Sequence, residues 1–75
     1  MKTAKEMFEA LGFVQVELKD RYARLGYYHK NYDETLVFST DNFQEYYIEN
    51  LAIDMPILKA IIQQCKELGW LDEYE

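Results

Sequence analysis

The chain is poor in the residue types that build most reactive centres. It holds one cysteine, one histidine, one proline, one tryptophan and three glycines. A lone cysteine excludes an internal disulfide and any cysteine-rich zinc site. Three glycines, read as two helix ends and one strand position, leave no phosphate-cradling loop. The single histidine excludes paired-histidine metal sites, and no acidic run has calcium-loop spacing. No apolar stretch approaches the ~20 residues that cross a bilayer. The opening is polar and amphipathic, without the apolar centre of a signal peptide. The expectation is a cytoplasmic protein with no cofactor, no metal and no membrane partner.

Basic charge is also scarce after residue 30. Residues 1–30 carry six Lys/Arg against four Asp/Glu, whereas 31–75 carry two against ten, for a net charge of −6. Nucleic-acid binding draws on Lys and Arg to displace counterions from phosphates, so this balance argues against a general nucleic-acid binder. It fits a soluble protein or one that meets a basic partner.

What is plentiful is aromatic and aliphatic bulk. Hydrophobic residues make up 49% of the 75 positions, which argues for a folded single domain spanning 1–75. Seven residues are tyrosine, six of them from Tyr22 to Tyr47, with adjacent pairs at Tyr27-Tyr28 and Tyr46-Tyr47. In a strand, adjacent side chains point to opposite faces, so each pair places one ring on either side of a sheet.

The hydrophobic period divides the chain into elements. Thr3 and Glu6 form a capping box, Ala4, Met7, Phe8 and Leu11 line one helical face, and Gly12 ends that helix. From Phe13 the period becomes two, with Val14, Val16 and Leu18 alternating against Gln15, Glu17 and Lys19. A second strand at 22–29 follows. With Asp20 and Arg21 as a two-residue turn, Val16 falls opposite Leu25, Leu18 opposite Ala23 and Val14 opposite Tyr27. The other face then pairs Glu17 with Arg24 and Phe13 with Tyr28.

A third strand is expected at 34–39 and a fourth at 43–49, after turn chemistry at Asn31 to Asp33 and at Asp41-Asn42. A two-residue turn sets Phe38 opposite Glu45 and Leu36 opposite Tyr47. A three-residue turn pairs Leu36 with Tyr46 and Phe38 with Gln44 instead, and the pattern does not choose. Asp54 then caps a second helix, with Pro56 in its first turn and Ile53 stapled to Leu58. Leu58, Ile61, Ile62, Cys65 and Leu68 form its apolar stripe, and Gly69-Trp70 make a Schellman end. Residues 71–75 read as a frayed acidic tail. The expected fold is α+β: an N-terminal helix, a four-stranded antiparallel meander and a C-terminal helix, both helices packed on one sheet face.

Site chemistry is sparse. Cys65 belongs to the apolar stripe, and His29 reads as an exposed or edge residue without an acid-base partner. His29 with Asp33 and Glu34 makes at best a weak cation site. The expectation is therefore not an enzyme. A non-enzymatic protein-interaction module, or a homodimer, using an aromatic sheet face or strand edge is the leading reading, with Phe13, Tyr22, Arg24, Tyr28 and Tyr47 as the interaction surface. An acidic inhibitor that mimics nucleic acid is one rival, if Asp33, Glu34, Asp41, Glu45 and Glu49 cluster. A weak single-strand binder is the other, through Arg21, Tyr22, Arg24, Tyr28, His29 and Lys30 on the first hairpin.

The segments TAKEMFEALGF at 3–13 and ILKAIIQQCKELGWL at 57–71 resemble the ends of small uncharacterised helix–sheet–helix proteins of Gram-positive bacteria and their phages. The resemblance implies a compact intracellular domain of the kind that prophages carry, and brings over no catalytic residue.

Overall fold

A computed structural model describes residues 2–71. The chain runs α1 (Ala4–Ala10), β1 (Phe13–Val16), β2 (Ala23–His29), β3 (Glu34–Ser39), β4 (Tyr46–Tyr47) and α2 (Met55–Glu67). The strands form one antiparallel sheet in the order β1-β2-β3-β4. This is the expected α+β helix, meander and helix. The tail expected at 71–75 lies, from residue 72 onward, outside the described residues.

Local signals set both helices. The Thr3 hydroxyl accepts from the Glu6 amide, and the Glu6 carboxylate accepts from the Thr3 amide, closing the capping box. Gly12 takes φ +95° directly after α1. Asp54 caps α2 through Oδ1, which accepts from the Ile57 amide at 3.0 Å. At the other end the Trp70 amide donates to the Cys65 carbonyl and the Gly69 amide to the Lys66 carbonyl, which is the Schellman pattern. The helices are also tied to each other: the free Ala4 amide of α1 donates to Glu67 Oε2 at 2.7 Å.

The core lies between the helices and one face of the sheet. Phe8 stacks on Tyr27 at 4.0 Å, meets Phe13 edge-on at 5.5 Å, and lies 6.3 Å from Phe38. Trp70 flanks Phe38 from beyond α2. Ile57, Ala60 and Ile61 close the core from α2.

The buried stripe of α2 is rotated from the expected one. Ile57, Ala60, Ile61 and Gln64 are buried, whereas Ile62 is exposed. The sequence pattern placed Gln64 on the polar side because an unpaired amide is costly to bury. Here the Tyr27 hydroxyl donates to Gln64 Oε1 at 2.6 Å, which removes that cost.

The first hairpin is slipped by one residue from the expected register. The observed pairs are Phe13 with His29, Val14 with Tyr28, Gln15 with Tyr27 and Val16 with Gly26. The turn is centred on Arg21 and Tyr22, closed by the Ala23 amide on the Asp20 carbonyl, with Asp20 Oδ1 also accepting from the Tyr22 amide. Because the side-chain period is two, this slip exchanges the faces of β1. Phe13 turns into the core and Val14 turns out.

The fourth strand matches neither expected register. Val37 pairs with Tyr47 and Phe38 with Tyr46. A longer turn intervenes because the Ser39 hydroxyl accepts from the Glu45 amide, the Thr40 carbonyl accepts from the Phe43 and Gln44 amides, and Gln44 sits at φ +50°. Residues 43–45, expected in the strand, are spent on that turn.

Candidate functional site

The face of the sheet turned away from the helices is covered only in part: Val14 and Tyr47 are exposed, whereas Gly26, Val37 and Ser39 are buried. Pairing and alternation place Val14, Val16, Gly26, Tyr28, Thr35, Val37, Ser39 and Tyr47 on it, none of them charged. A single cross-strand row runs Val16, Gly26, Val37, Tyr47. An antiparallel sheet with one face in water ordinarily alternates polar residues outward; here these are hydroxyl residues, Tyr28, Thr35, Ser39 and Tyr47, beside Val14, Val16 and Val37, and none is ionised.

Gly26 has a packing reason. A Cβ there would lie 2.8 Å from Leu18 Cδ1 and 3.2 Å from Thr35 Cγ2, so its bare backbone lets Leu18 fold down onto the sheet. Beside this apolar ridge is a hollow of about 230 Å³ lined by Tyr22, Ser39, Phe43, Glu45 and Tyr47. Tyr22 and Phe43 meet edge-on at 5.8 Å, and the Arg21 guanidinium lies 4.8 Å over the Tyr22 ring. Tyr22, Phe43 and Tyr47 are each about half exposed.

The structure separates the expected surface residues. Tyr22, Tyr28 and Tyr47 lie on the outward side. Phe13 does not: it is 2% exposed, between Phe8 and His29, so its assignment to the interaction surface is corrected by the register. Arg24 is the extra residue at a bulge between Ala23 and Leu25, and its guanidinium pairs with Asp41. Asp41 Oδ1 also accepts from Trp70 Nε1 at 3.0 Å, and these donors hold its carboxyl below the usual range. The Tyr28 hydroxyl donates to Asp33, which raises its pKa.

A second feature lies at the opposite end of β2. His29 was expected to be exposed, yet it is 8% exposed. It shares parity with Leu25 and Tyr27, and that alternation already pointed it inward. Its Nε2 lies 3.1 Å from the Leu11 carbonyl, so Nε2 is the protonated donor. Gly12 makes this contact possible, because a Cβ there would meet Nε2 at 2.7 Å. Phe13 and Tyr32 pack on the ring at 4.9 and 4.6 Å. Nδ1 is buried with no hydrogen-bond partner in the protein, an arrangement that costs about 1–3 kcal/mol.

This imidazole lines a cavity of about 400 Å³ with Leu11, Phe13, Tyr32, Leu51, Ala52, Asp54 and Ile57. Leu51, Ala52 and Tyr32 come from irregular segments that carry no period, so the cavity was not legible in the sequence.

Among the described residues, no three His, Cys, Asp or Glu side chains gather in a metal-binding group, and no helix is long and apolar enough to cross a membrane. Burial raises the pKa of the Cys65 thiol, which disfavours its nucleophilic form. Comparison of the chain with protein-family models, curated proteins and solved structures returns no match in any of the three.

Proposed function

We propose that the protein is a non-enzymatic interaction module that docks through the outward face of its sheet, and that the surface it meets is a second copy of this chain. The observation that carries this is the uncharged run across four strands in a chain of net charge −6. Charge is confined to its margins, at Arg24, Asp33 and Glu45. The molecule is a slab of 35 × 30 × 19 Å, two layers thick. Packing two such sheets face to face, ~10 Å apart, would bury the exposed parts of both faces, Val14 and Tyr47 among them, at once. The Leu18 ridge and the aromatic hollow lie on the same face, which suits a two-fold contact where each ridge meets the other copy's hollow. The β4 edge is disfavoured because β4 is only two residues long and presents few free backbone groups.

The rivals have less support. Asp33 and Glu34 lie at the start of β3 and Asp41 and Glu45 beyond its end, a spread along the strand that lends less support to nucleic-acid mimicry. On the first hairpin, His29 is turned inward, Arg24 is paired with Asp41 and Tyr28 with Asp33, which disperses the basic and aromatic patch. Sedimentation equilibrium over a concentration series tests the proposal. The expected result is a reversible dimer, weakened at least about tenfold by Val14→Lys or Tyr47→Lys, each worth ~1.4 kcal/mol or more. Both positions are more than half exposed, so the variants should stay folded by circular dichroism. A wild-type monomer at high concentration would overturn it.

A further inference from the structure

The hollow beside the Leu18 ridge differs in chemistry from the rest of its face. Three of its five lining residues are aromatic, Tyr22, Phe43 and Tyr47, and a fourth, Glu45, is acidic. It lies where the β1–β2 turn meets the β3–β4 turn, which are joined by the Thr40 amide donating to the Tyr22 carbonyl at 3.2 Å. The Tyr22 and Phe43 rings stand 72° apart with centroids 5.8 Å from each other, which makes a corner, and Tyr47 supplies a further wall. Aromatic faces are electron-rich, so rings grouped beside a carboxylate attract a cation. One of these rings already holds one: the Arg21 guanidinium lies 4.8 Å over Tyr22. Arg21 does not line the hollow, and none of the five residues that do is basic.

We propose that this hollow binds a small quaternary methylammonium cation of the choline type. Its volume, about 230 Å³, is below the roughly 300–1,000 Å³ of drug-sized pockets, so it suits a compact cationic head. The Ser39 hydroxyl is spent within the protein, accepting from the Glu45 amide at 2.8 Å and donating to the Thr40 carbonyl at 3.3 Å. An unmethylated ammonium has three N–H donors whose bonds to water must be replaced on entry. A quaternary nitrogen has none, and it presents methyl groups to the rings. The net charge of −6 favours a cationic ligand at longer range. The hollow is also the part of the face proposed to receive the Leu18 ridge of a second copy, so cation and second copy compete for it. Binding of the cation does not itself depend on the dimer.

Choline and 3,3-dimethylbutan-1-ol, its neutral isostere with carbon in place of nitrogen, separate charge from shape. Titrations at a protein concentration where sedimentation shows the monomer keep the result independent of the dimer reading. Followed by NMR, choline should shift the Tyr22, Phe43 and Tyr47 amides saturably at millimolar concentration, and ring currents should move its methyl protons upfield. The neutral isostere and ethanolamine, which lacks the methyl groups, should each bind at least about tenfold more weakly. Phe43→Leu keeps apolar bulk but loses the ring, and Glu45→Gln loses the charge; each should weaken choline by about threefold or more. Phe43→Tyr should preserve binding. Both positions are exposed, so the variants should stay folded. Equal affinity for choline and either of the other two ligands, choline binding unchanged by Phe43→Leu and Glu45→Gln, or no saturable shift would each overturn the proposal.

Discussion

Tyr27 is the residue on which the core turns. Its ring stacks on Phe8, and its hydroxyl donates to Gln64 while accepting from Gln15. Burial, together with the nearby Glu67 charge, pushes its pKa up to about 12 from an ordinary value of 10.0. The unfolded chain therefore ionises this phenol first as pH rises. The folding stability it contributes is complete below pH ~10 and is lost between ~10 and ~12, by about 2–3 kcal/mol. Urea unfolding across that window should show the loss, and Tyr27→Phe should flatten it. A 295 nm titration should show a late phase, near pH 12, that Tyr27→Phe removes. A chain whose tyrosines all ionise together near 10 would contradict this. The sequence pattern already placed Tyr27 inside, but not its partners, because Gln15 and Gln64 are polar and read as solvent-facing until the three groups meet.

The elements differ in how far local chemistry determines them. The ends of α1 and α2 were legible because caps act within a few residues: Thr3 with Glu6, Asp54 with Ile57, Gly69 with Trp70. The face of β1 was not. Phe13 and the set Val14, Val16, Leu18 both satisfy an alternating pattern, and the choice rests on Phe8, which arrives from another element. The short β4 was equally illegible, since the Ser39 side chain lengthens the turn before it.

The caps permit a quantitative check on α2. Asp54→Ala removes a side-chain acceptor and should cost about 1 kcal/mol. Gly69→Ala forces a Cβ onto a backbone at φ +82° and should cost about 1 kcal/mol or more. The two sites are separated by a helix ~20 Å long, so the double variant should lose the sum within about 0.5 kcal/mol in urea unfolding. A marked shortfall would mean that one end of α2 already frays in the native protein.

For the whole molecule, charge and the uncharged face act in opposite senses. Each copy carries −6, so two copies repel while their sheet faces attract. The slab is 19 Å thick. At ~0.01 M salt the screening length is about 30 Å, so carboxylates even on the far layer of one copy are felt by the other. At ~0.15 M it falls to about 8 Å, and only marginal residues such as Glu45 and Asp33 still interact across the contact. Dimerisation through the uncharged face should therefore strengthen several-fold as sodium chloride rises over that range. Sulfate should strengthen it further, because excluded salts favour burial of apolar surface. An interface built from Arg21 or Arg24 against carboxylates would weaken instead, since salt screens attraction as readily as repulsion. Sedimentation equilibrium at graded salt distinguishes the two by sign alone. An association constant that falls with added salt would move the contact from the sheet face to its charged margin.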